Sequence, residues 1–344
     1  MIQCRVPSIF EIAKQAGVSA STVSRTFNSP HLINSETRQR VLDVAQRLNY
    51  SPLRQRVARE QRAAATGVID FHFFAEQADD TLQGNAFYSQ VLAGAMAEAA
   101  DLGVQLTLSS SARNDVNAPL PQSITNGGAS GLLLVGAADN RVVDKFVGAC
   151  DTVVFVDTHD PTGRHDAIVT DNVGGVERAV KYLIELGHRR IGFVTGGHEI
   201  DSFRERLNGY ICAHYWAGIP YDPSSIVYKD PDLLRQCVAR PDRPTAFMCA
   251  NDDCAVTLMQ ICYELGLNIP GDVSLVGFDD VDFSSRTIPP LTSVHVPTDL
   301  IGRLALRRLQ ARLAAGSRDT VTLPSFSVVP VRLIERQSCR KVSA

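Results

Sequence analysis

The sequence predicts an all-α head of helix–turn–helix type followed by an α/β body whose parallel sheets form two lobes. Three observations predict it. A capped, glycine-broken run of helical periodicity fills residues 8–48. From Gly67 short apolar runs alternate with amphipathic helices, and that alternation passes through two successive series. At 344 residues the chain is long enough for two or three cores rather than one.

Ser8 and Glu11 stand at S-x-x-E spacing, so the serine hydroxyl can satisfy a free N–H of the first helical turn while the glutamate reaches back. Ile9, Ile12, Ala13 and Ala16 recur at helical spacing, Gly17 stops the helix, and Val18 is the apolar residue of the turn. Ser19 caps a second helix through Ala20, Ser21, Thr22, Val23, Ser24 and Arg25 to about Asn28. Small polar residues with one arginine suit the DNA major groove: they leave room for the duplex and can bond base edges or phosphates. Ser35 opens a third helix whose Val41, Leu42, Ala45 and Leu48 complete a small core, and Asn49-Tyr50-Ser51-Pro52 closes it.

Charge supports this reading. Residues 1–62 hold ten Lys and Arg against four Asp and Glu, although the whole chain carries a net charge of −3. A basic head on an acidic body places a polyanionic partner at the N-terminal end. The eight cysteines are scattered with no C-x-x-C pair, which predicts reduced thiols in a cytoplasmic protein rather than a zinc site or disulfide framework. No apolar run reaches membrane-spanning length and no signal-peptide pattern opens the chain, so no membrane association is expected. Residues 53–66 are arginine-rich with high helix propensity but too few apolar positions to bury a face alone, as in a linker that orders on a partner.

In the body, residues 67–74, 104–109, 131–136 and 152–157 read as buried strands, with helices near 86–102, 117–127 and 139–149. A second series has strands at 167–170, 190–195, 245–250 and 273–278, and helices near 172–187, 203–217 and 253–266. A helix at 297–315 and one last strand, FSVVPVRL, follow. Such alternation implies parallel sheets covered on both faces. Ligands of open α/β sheets bind beyond the carboxyl ends of the strands, so two facing lobes place a ligand between them. Asp157, Asp171-Asn172, Asn251-Asp252 and Asp279-Asp280 all follow predicted strands, and Arg206 sits in an Arg-x-x-Gly step after the 190–195 strand. Any one of these acids is most simply a helix cap; their shared placement predicts a cleft.

The chain resembles the LacI/GalR family of bacterial transcriptional regulators. The residues that carry the resemblance are IFEIAKQAGVS, Thr22-Val23-Ser24-Arg25, Asn28, Glu36-Thr37-Arg38, Val41 and Asn49-Tyr50-Ser51-Pro52 in the head. In the body they are Asn85-x-Phe87-Tyr88 with Gly94, Asp157, Asp171-Asn172, Leu186-Gly187-His188, Arg206-x-x-Gly209, Ala250-Asn251-Asp252, the run from Pro270 to Asp280, Pro289-Pro290-Leu291-Thr292 and Gly302. The resemblance implies a helix–turn–helix head over 1–52, a hinge over 53–66 and a body over 67–344 similar to periplasmic binding proteins. Lobe 1 is then expected at about 67–166 and 292–322, and lobe 2 at about 167–290 and 323–340. It implies DNA contacts from Ser19, Ala20, Ser21, Thr22, Ser24, Arg25 and Asn28, with Ala20, Ser21 and Arg25 facing bases, and from Arg54 and Arg59 in the hinge. Two departures stand out there: Leu53 replaces the usual asparagine, and Arg59 falls where a groove-wedging leucine is expected. For an effector it implies Arg206 and Asp252 foremost, then Asp157, Asp279, and Phe87 or Tyr88 stacking on an apolar face. Between Val227 and Pro244 the chain is short for the family, leaving Lys229 and Asp230 as the polar residues there.

The expectation is a ligand-responsive transcriptional regulator, most simply a repressor that binds double-stranded palindromic operator DNA as a homodimer. Its effector would be a small sugar, sugar phosphate or nucleoside; no cofactor or metal is expected. An enzyme is disfavoured, since G-x-S-x-G, Walker and H-E-x-x-H motifs are absent. A solute-binding sensor competes with the regulator reading, as does an architectural DNA binder whose cleft is filled by its own side chains.

Overall fold

The computed structural model describes residues 9–19, 22–23, 26–27, 33–47, 67–77, 80–197, 200–315 and 323–342. The chain divides into two compact units, Met1–Gly67 and Val68–Ala344. In the first, α1 (Ile9–Ala16) ends at Gly17, whose φ of +65° is the left-handed turn that suits glycine, and Val18 N–H closes on Ala13 O at 3.0 Å. The side chain of Asn34 caps α2 (Ser35–Arg47) by accepting from Thr37 N–H at 2.7 Å. Ile12, Ala13, Ala16, Val23, Val41, Val44 and Ala45 form the small core, with Val18 and Phe27 packed against it.

The second unit has two six-stranded sheets. The strands and helices alternate as β1 (Val68–Ala75), α3 (Ala86–Leu102), β2 (Gln105–Ala112), α4 (Gln122–Thr125), β3 (Gly131–Val135), α5 (Asn140–Ala149), β4 (Val153–Val156) and β5 (Asp166–Thr170). Then follow α6 (Asn172–Glu185), β6 (Ile191–Thr195), α7 (Asp201–Ala217), β7 (Ile226–Tyr228), α8 (Pro231–Ala239), β8 (Ala246–Cys249), α9 (Asp252–Glu264) and β9 (Ser274–Asp279). The remainder is β10 (Thr292–His295), α10 (Thr298–Ala315), β11 (Phe326–Val329) and β12 (Arg332–Ile334). One sheet runs β11-β5-β4-β3-β1-β2 and the other β12-β10-β9-β8-β6-β7; every pairing is parallel except β10 with β12. Apolar residues from both faces of each sheet are buried, as crossover helices require.

The expected lobe boundaries need correction at three places. β5 pairs with β4 and belongs to the first sheet, although 167–170 was expected to open lobe 2. β10, a strand not anticipated, pairs with β9 in the second sheet, although 292–322 was assigned to lobe 1. The single strand expected from FSVVPVRL is two: β11 pairs with β5 in lobe 1 and β12 with β10 in lobe 2, the chain changing sheets at Pro330. The chain thus crosses between lobes after β5, after β10 and after β11. Period-two patterning locates a strand but does not name its neighbour, which explains all three errors. The helix expected at 117–127 shrinks to Gln122–Thr125, and β7, three residues long, was too short to stand out.

Two glycines set the close crossing of α3 and α10. A Cβ on Gly94 would strike the Asp299 carbonyl, and one on Gly302 would strike that of Val91. These helices cover lobe 1 on one side, and Glu98 on α3 takes Arg303 and Arg307 of α10 as partners. Asp166, 1 % exposed, accepts from Arg308, Arg312 and Ser325 N–H, joining β5, α10 and the approach to β11. Burial would raise its pKa, but these donors hold the carboxyl well below the usual carboxylate range.

Candidate functional site

In the head, Ser19 Oγ accepts from Thr22 N–H at 3.1 Å, which is the cap expected for the second helix, and Thr26 Oγ1 donates to Thr22 O at 2.9 Å. Val23 and Thr26 are buried, while Ser19 is exposed and Thr22 half-exposed, so the helix has an inner and an outer side. Ala20, Ser21, Ser24, Arg25 and Asn28, and the hinge residues Arg54 and Arg59, lie outside the described residues.

In the body, the strand ends meet as follows. β4 delivers Asp157, whose carboxylate accepts from Tyr88 Oη at 2.9 Å and from Thr170 Oγ1 at 3.4 Å. These three belong to lobe 1. In lobe 2, Arg206 is 2 % exposed on α7, and its guanidinium is held through Nε, Nη1 and one face. Nε donates to Asn172 Oδ1 at 2.8 Å and Nη1 to Ala250 O at 2.6 Å; Nη1 also lies 3.0 Å from Asp279 Oδ1. The guanidinium carbon sits 3.8 Å from the centroid of the Phe278 ring, a cation–π contact in a desolvated place.

These groups act on one another's ionisation across the lobes. Burial pushes the Asp279 carboxyl up to about 8, Asp252 and Asp157 adding to the rise and Arg206 opposing it. Burial likewise raises Asp157, with Arg206 opposing. The Tyr88 phenol is driven well above its ordinary value by burial and then by Asp157, so it remains a donor. Asp157, Asp279 and Asp280 are the residues other than glycine with positive φ among those described, at +56°, +100° and +56°. Left-handed backbone at a residue with a Cβ costs on the order of 1 kcal/mol or more, and it is concentrated here at the strand ends.

The other expected effector residues are placed differently. Asp252 is 1 % exposed at the start of α9, and its own lobe uses both carboxylate oxygens. Oδ1 accepts from Ser293 Oγ at 2.5 Å; Oδ2 accepts from Val281 N–H at 2.9 Å and Ser284 Oγ at 2.6 Å. Gly277 is what lets the carboxylate lie against β9, since a Cβ there would strike Asp252 Oδ1. Asp252 therefore clamps the loop 280–286 and β10 to α9. Phe87 is packed in the lobe 1 core, edge-on to Tyr88 at 5.1 Å between centroids. Asp171 caps α6 through Gly174 N–H at 3.0 Å, and Asp230 caps α8 through Asp232 and Leu233 N–H at 3.0 Å each. Lys229 pairs with Asp253. Sequence reasoning did not single out Glu205 or His159, which meet at 2.7 Å from opposite lobes, nor Ser284 and Ser293. Adjacency to Arg206 was the available signal for Glu205.

Comparison with known proteins decides the family. Residues 8–52 match the family described as bacterial regulatory proteins, lacI family, and residues 180–339 match the periplasmic binding protein-like domain. The ribose operon repressor of Escherichia coli K12 is 30 % identical over 338 residues, which cover 95 % of this chain and 98 % of that protein. The chain belongs to the lacI family of bacterial regulatory proteins. As a lacI-family protein it is a DNA-binding transcriptional regulator. The regulator CelR of Thermobifida fusca is 28 % identical over 97 % of this chain and 98 % of its own length. Among solved structures, the lac repressor dimer bound to operator and the anti-inducer ONPF is similar with a TM-score of 0.69 and 27 % identity, covering 98 % of this chain and all of that one. A CelR–cellobiose complex is similar to the same degree, with a TM-score of 0.69 and 27 % identity over 96 % of this lacI-family chain and 99 % of the other. These relatives are transcriptional regulators, and no helix among the described residues is long and apolar enough to cross a membrane.

Proposed function

We propose that this lacI-family regulator is a cytoplasmic, non-enzymatic repressor that binds a palindromic operator as a homodimer and takes a neutral, polyhydroxylated effector of the sugar class between its lobes. Tyr88, Asp157, Arg206 and Asp279 would be the contacts, with the second head helix, Arg25 foremost, reading the operator. One observation carries the effector reading: a single buried guanidinium shares the cleft with two buried carboxylates and a phenol donor. That set offers acceptors and donors to vicinal hydroxyls, which both donate and accept. Asp279, raised to about 8, is mostly neutral near pH 7, and Asp157 opposes the charge of Arg206, so the cleft offers no cationic excess to a phosphate and a sugar phosphate is disfavoured. A nucleoside would need a stacking face; Phe87 is spent in the core and Phe278 lies under Arg206. The solved relatives that carry an operator and a disaccharide support the same reading.

The test begins with selection of an operator from random duplex DNA by the full-length protein. Neutral sugars, sugar phosphates and nucleosides are then screened by thermal shift and by operator release or retention. A neutral sugar that raises Tm and alters operator affinity is the expected result, and a preference for a phosphorylated compound would overturn it. A second reading, a DNA binder without an effector, draws on the bonds Arg206 already makes to Asn172 and Ala250 O and on its ion pair with Asp279. It expects no compound to shift Tm or operator affinity.

A further inference from the structure

Beyond the four strand-end groups, the lobes touch through the loop that follows β4. Thr158 Oγ1 donates to Asp201 Oδ2 at 3.2 Å, and His159 Nε2 lies 2.7 Å from Glu205 Oε1. His159 stands in lobe 1, stacked on Phe326 of β11 with centroids 4.9 Å apart and planes within 13°. Glu205 stands on α7 in lobe 2. Its second oxygen accepts from Asn172 Nδ2 at 2.9 Å, and Asn172 Oδ1 accepts from Arg206 Nε at 2.8 Å. An unbroken line of hydrogen bonds therefore runs from an imidazole of one lobe to the guanidinium of the other.

We propose that His159 and Glu205 form a proton-responsive latch between the lobes, and that Glu205 is the positioning residue through which lobe contact reaches Arg206. The Asn172 amide is engaged at both ends, so its orientation is determined: oxygen to the arginine, nitrogen to Glu205. Loss of the glutamate leaves that amide free to turn and the arginine with one fixed acceptor fewer. The stack on Phe326 holds the imidazole plane, so the latch is made by His159 in one geometry.

The groups facing His159 agree on the direction of its titration. Its bond to Glu205 raises the pKa above the ordinary value, burial opposes, Asp201 adds to the rise and Arg204 subtracts. Asp160 and His165, in the same loop and around the same surface cavity, are paired with each other at 2.9 Å, and β11 presents the Phe326 ring. Burial would raise Glu205, but His159 and Asn172 hold it below its ordinary value. An imidazolium binds a carboxylate more strongly than a neutral imidazole does. The latch is therefore strongest below the raised pKa of His159 and loosens as pH rises through it.

The consequence for the effector rests on the cleft reading above; the latch does not, and its test uses no effector. Hydrogen exchange is followed in the full chain and in His159→Phe, which keeps the stack and removes the bond, at pH 6.5 and 8.5. At pH 6.5 the crossing segments 170–172, 295–298 and 329–332 should exchange about fivefold faster in the variant, the factor that corresponds to about 1 kcal/mol for a partly exposed ion pair. At pH 8.5 the ratio should be clearly smaller, since neutral imidazole keeps only an ordinary hydrogen bond to the carboxylate. Equal rates at pH 6.5, or the same ratio at both pH values, would overturn the latch. Nitrogen NMR reads the relay: the Arg206 Nε resonance should titrate with His159 in the native chain and lose that titration in Glu205→Gln. A titration unchanged in Glu205→Gln would remove Glu205 from its positioning role. Absence of any sugar response, with the exchange pattern intact, would discard the effector reading alone.

Discussion

Asp252→Ala separates a clamp from a ligand contact. The carboxylate accepts from Ser284, Ser293 and Val281 N–H, all in its own lobe. The alanine variant leaves the buried Val281 N–H without an acceptor, at about 1–3 kcal/mol, and ends two hydroxyl bonds worth about 1 kcal/mol each. Against this stands the relief of a buried charge. Burial raises the Asp252 carboxyl to about 6, with its three donors opposing. Its folded pKa lies above the unfolded value near 3.9, so ionisation favours the unfolded chain, and this group's contribution falls as pH rises from about 4 to 6. Linkage over that interval is worth about 3 kcal/mol in all, and about 1 kcal/mol of it lies between pH 5 and pH 7. Urea denaturation of the full chain should therefore show Asp252→Ala destabilised by roughly 2–4 kcal/mol at pH 5, and by about 1 kcal/mol less at pH 7. A penalty that grows with pH would refute the argument. So would native stability together with a lost effector response.

Asp166→Ala should cost about 2–3 kcal/mol, less than a fully buried pair because Arg308 and Arg312 are partly exposed. The Asp166 pKa is depressed, so its contribution is present above about pH 4 and is lost as pH falls below that, as an acid-unfolding series would read. Gly94→Ala should destabilise lobe 1 by about 1–3 kcal/mol through the clash with Asp299, and thermal unfolding measures it. Arg25→Ala should lose about 1–3 kcal/mol of discrimination at one base pair per half-site, and a loss equal across all sequences would assign Arg25 to phosphate.

The head and the order of the body's elements were legible because each rests on local chemistry. Gly17 ends a helix and Ser19 caps the next whatever surrounds them, and buried runs such as Gly131–Val135 and Val153–Val156 announce their strands. Strand neighbours were not legible. Thr292–His295 looks alike whether it pairs with β9 or lies in lobe 1, and only the sheet order distinguishes the two. Within the candidate site, Asp157 and Asp279 were marked by position after strands, Arg206 by its Arg-x-x-Gly step and Tyr88 by the family resemblance; the structure sets Tyr88 on Asp157 and Arg206 beside Asp279. Asp252 was marked by position after a strand as well, and the structure shows it accepting from Ser284, Ser293 and Val281 N–H of its own lobe. His159 and Glu205 are far apart in sequence, and nothing local announces their meeting.

The third crossing has a bearing on how the chain is made. β11 closes the edge of one sheet and β12, just downstream in the same stretch, closes the edge of the other. Synthesis proceeds from the N-terminus, so both lobes wait with an open strand edge until residues 326–334 have emerged. Until then the β5 and β10 backbones are exposed templates for pairing with another chain. The segment that finishes both lobes is thus also the protection of the nascent protein against aggregation, and a chain arrested before residue 326 should be captured by chaperones with neither lobe complete.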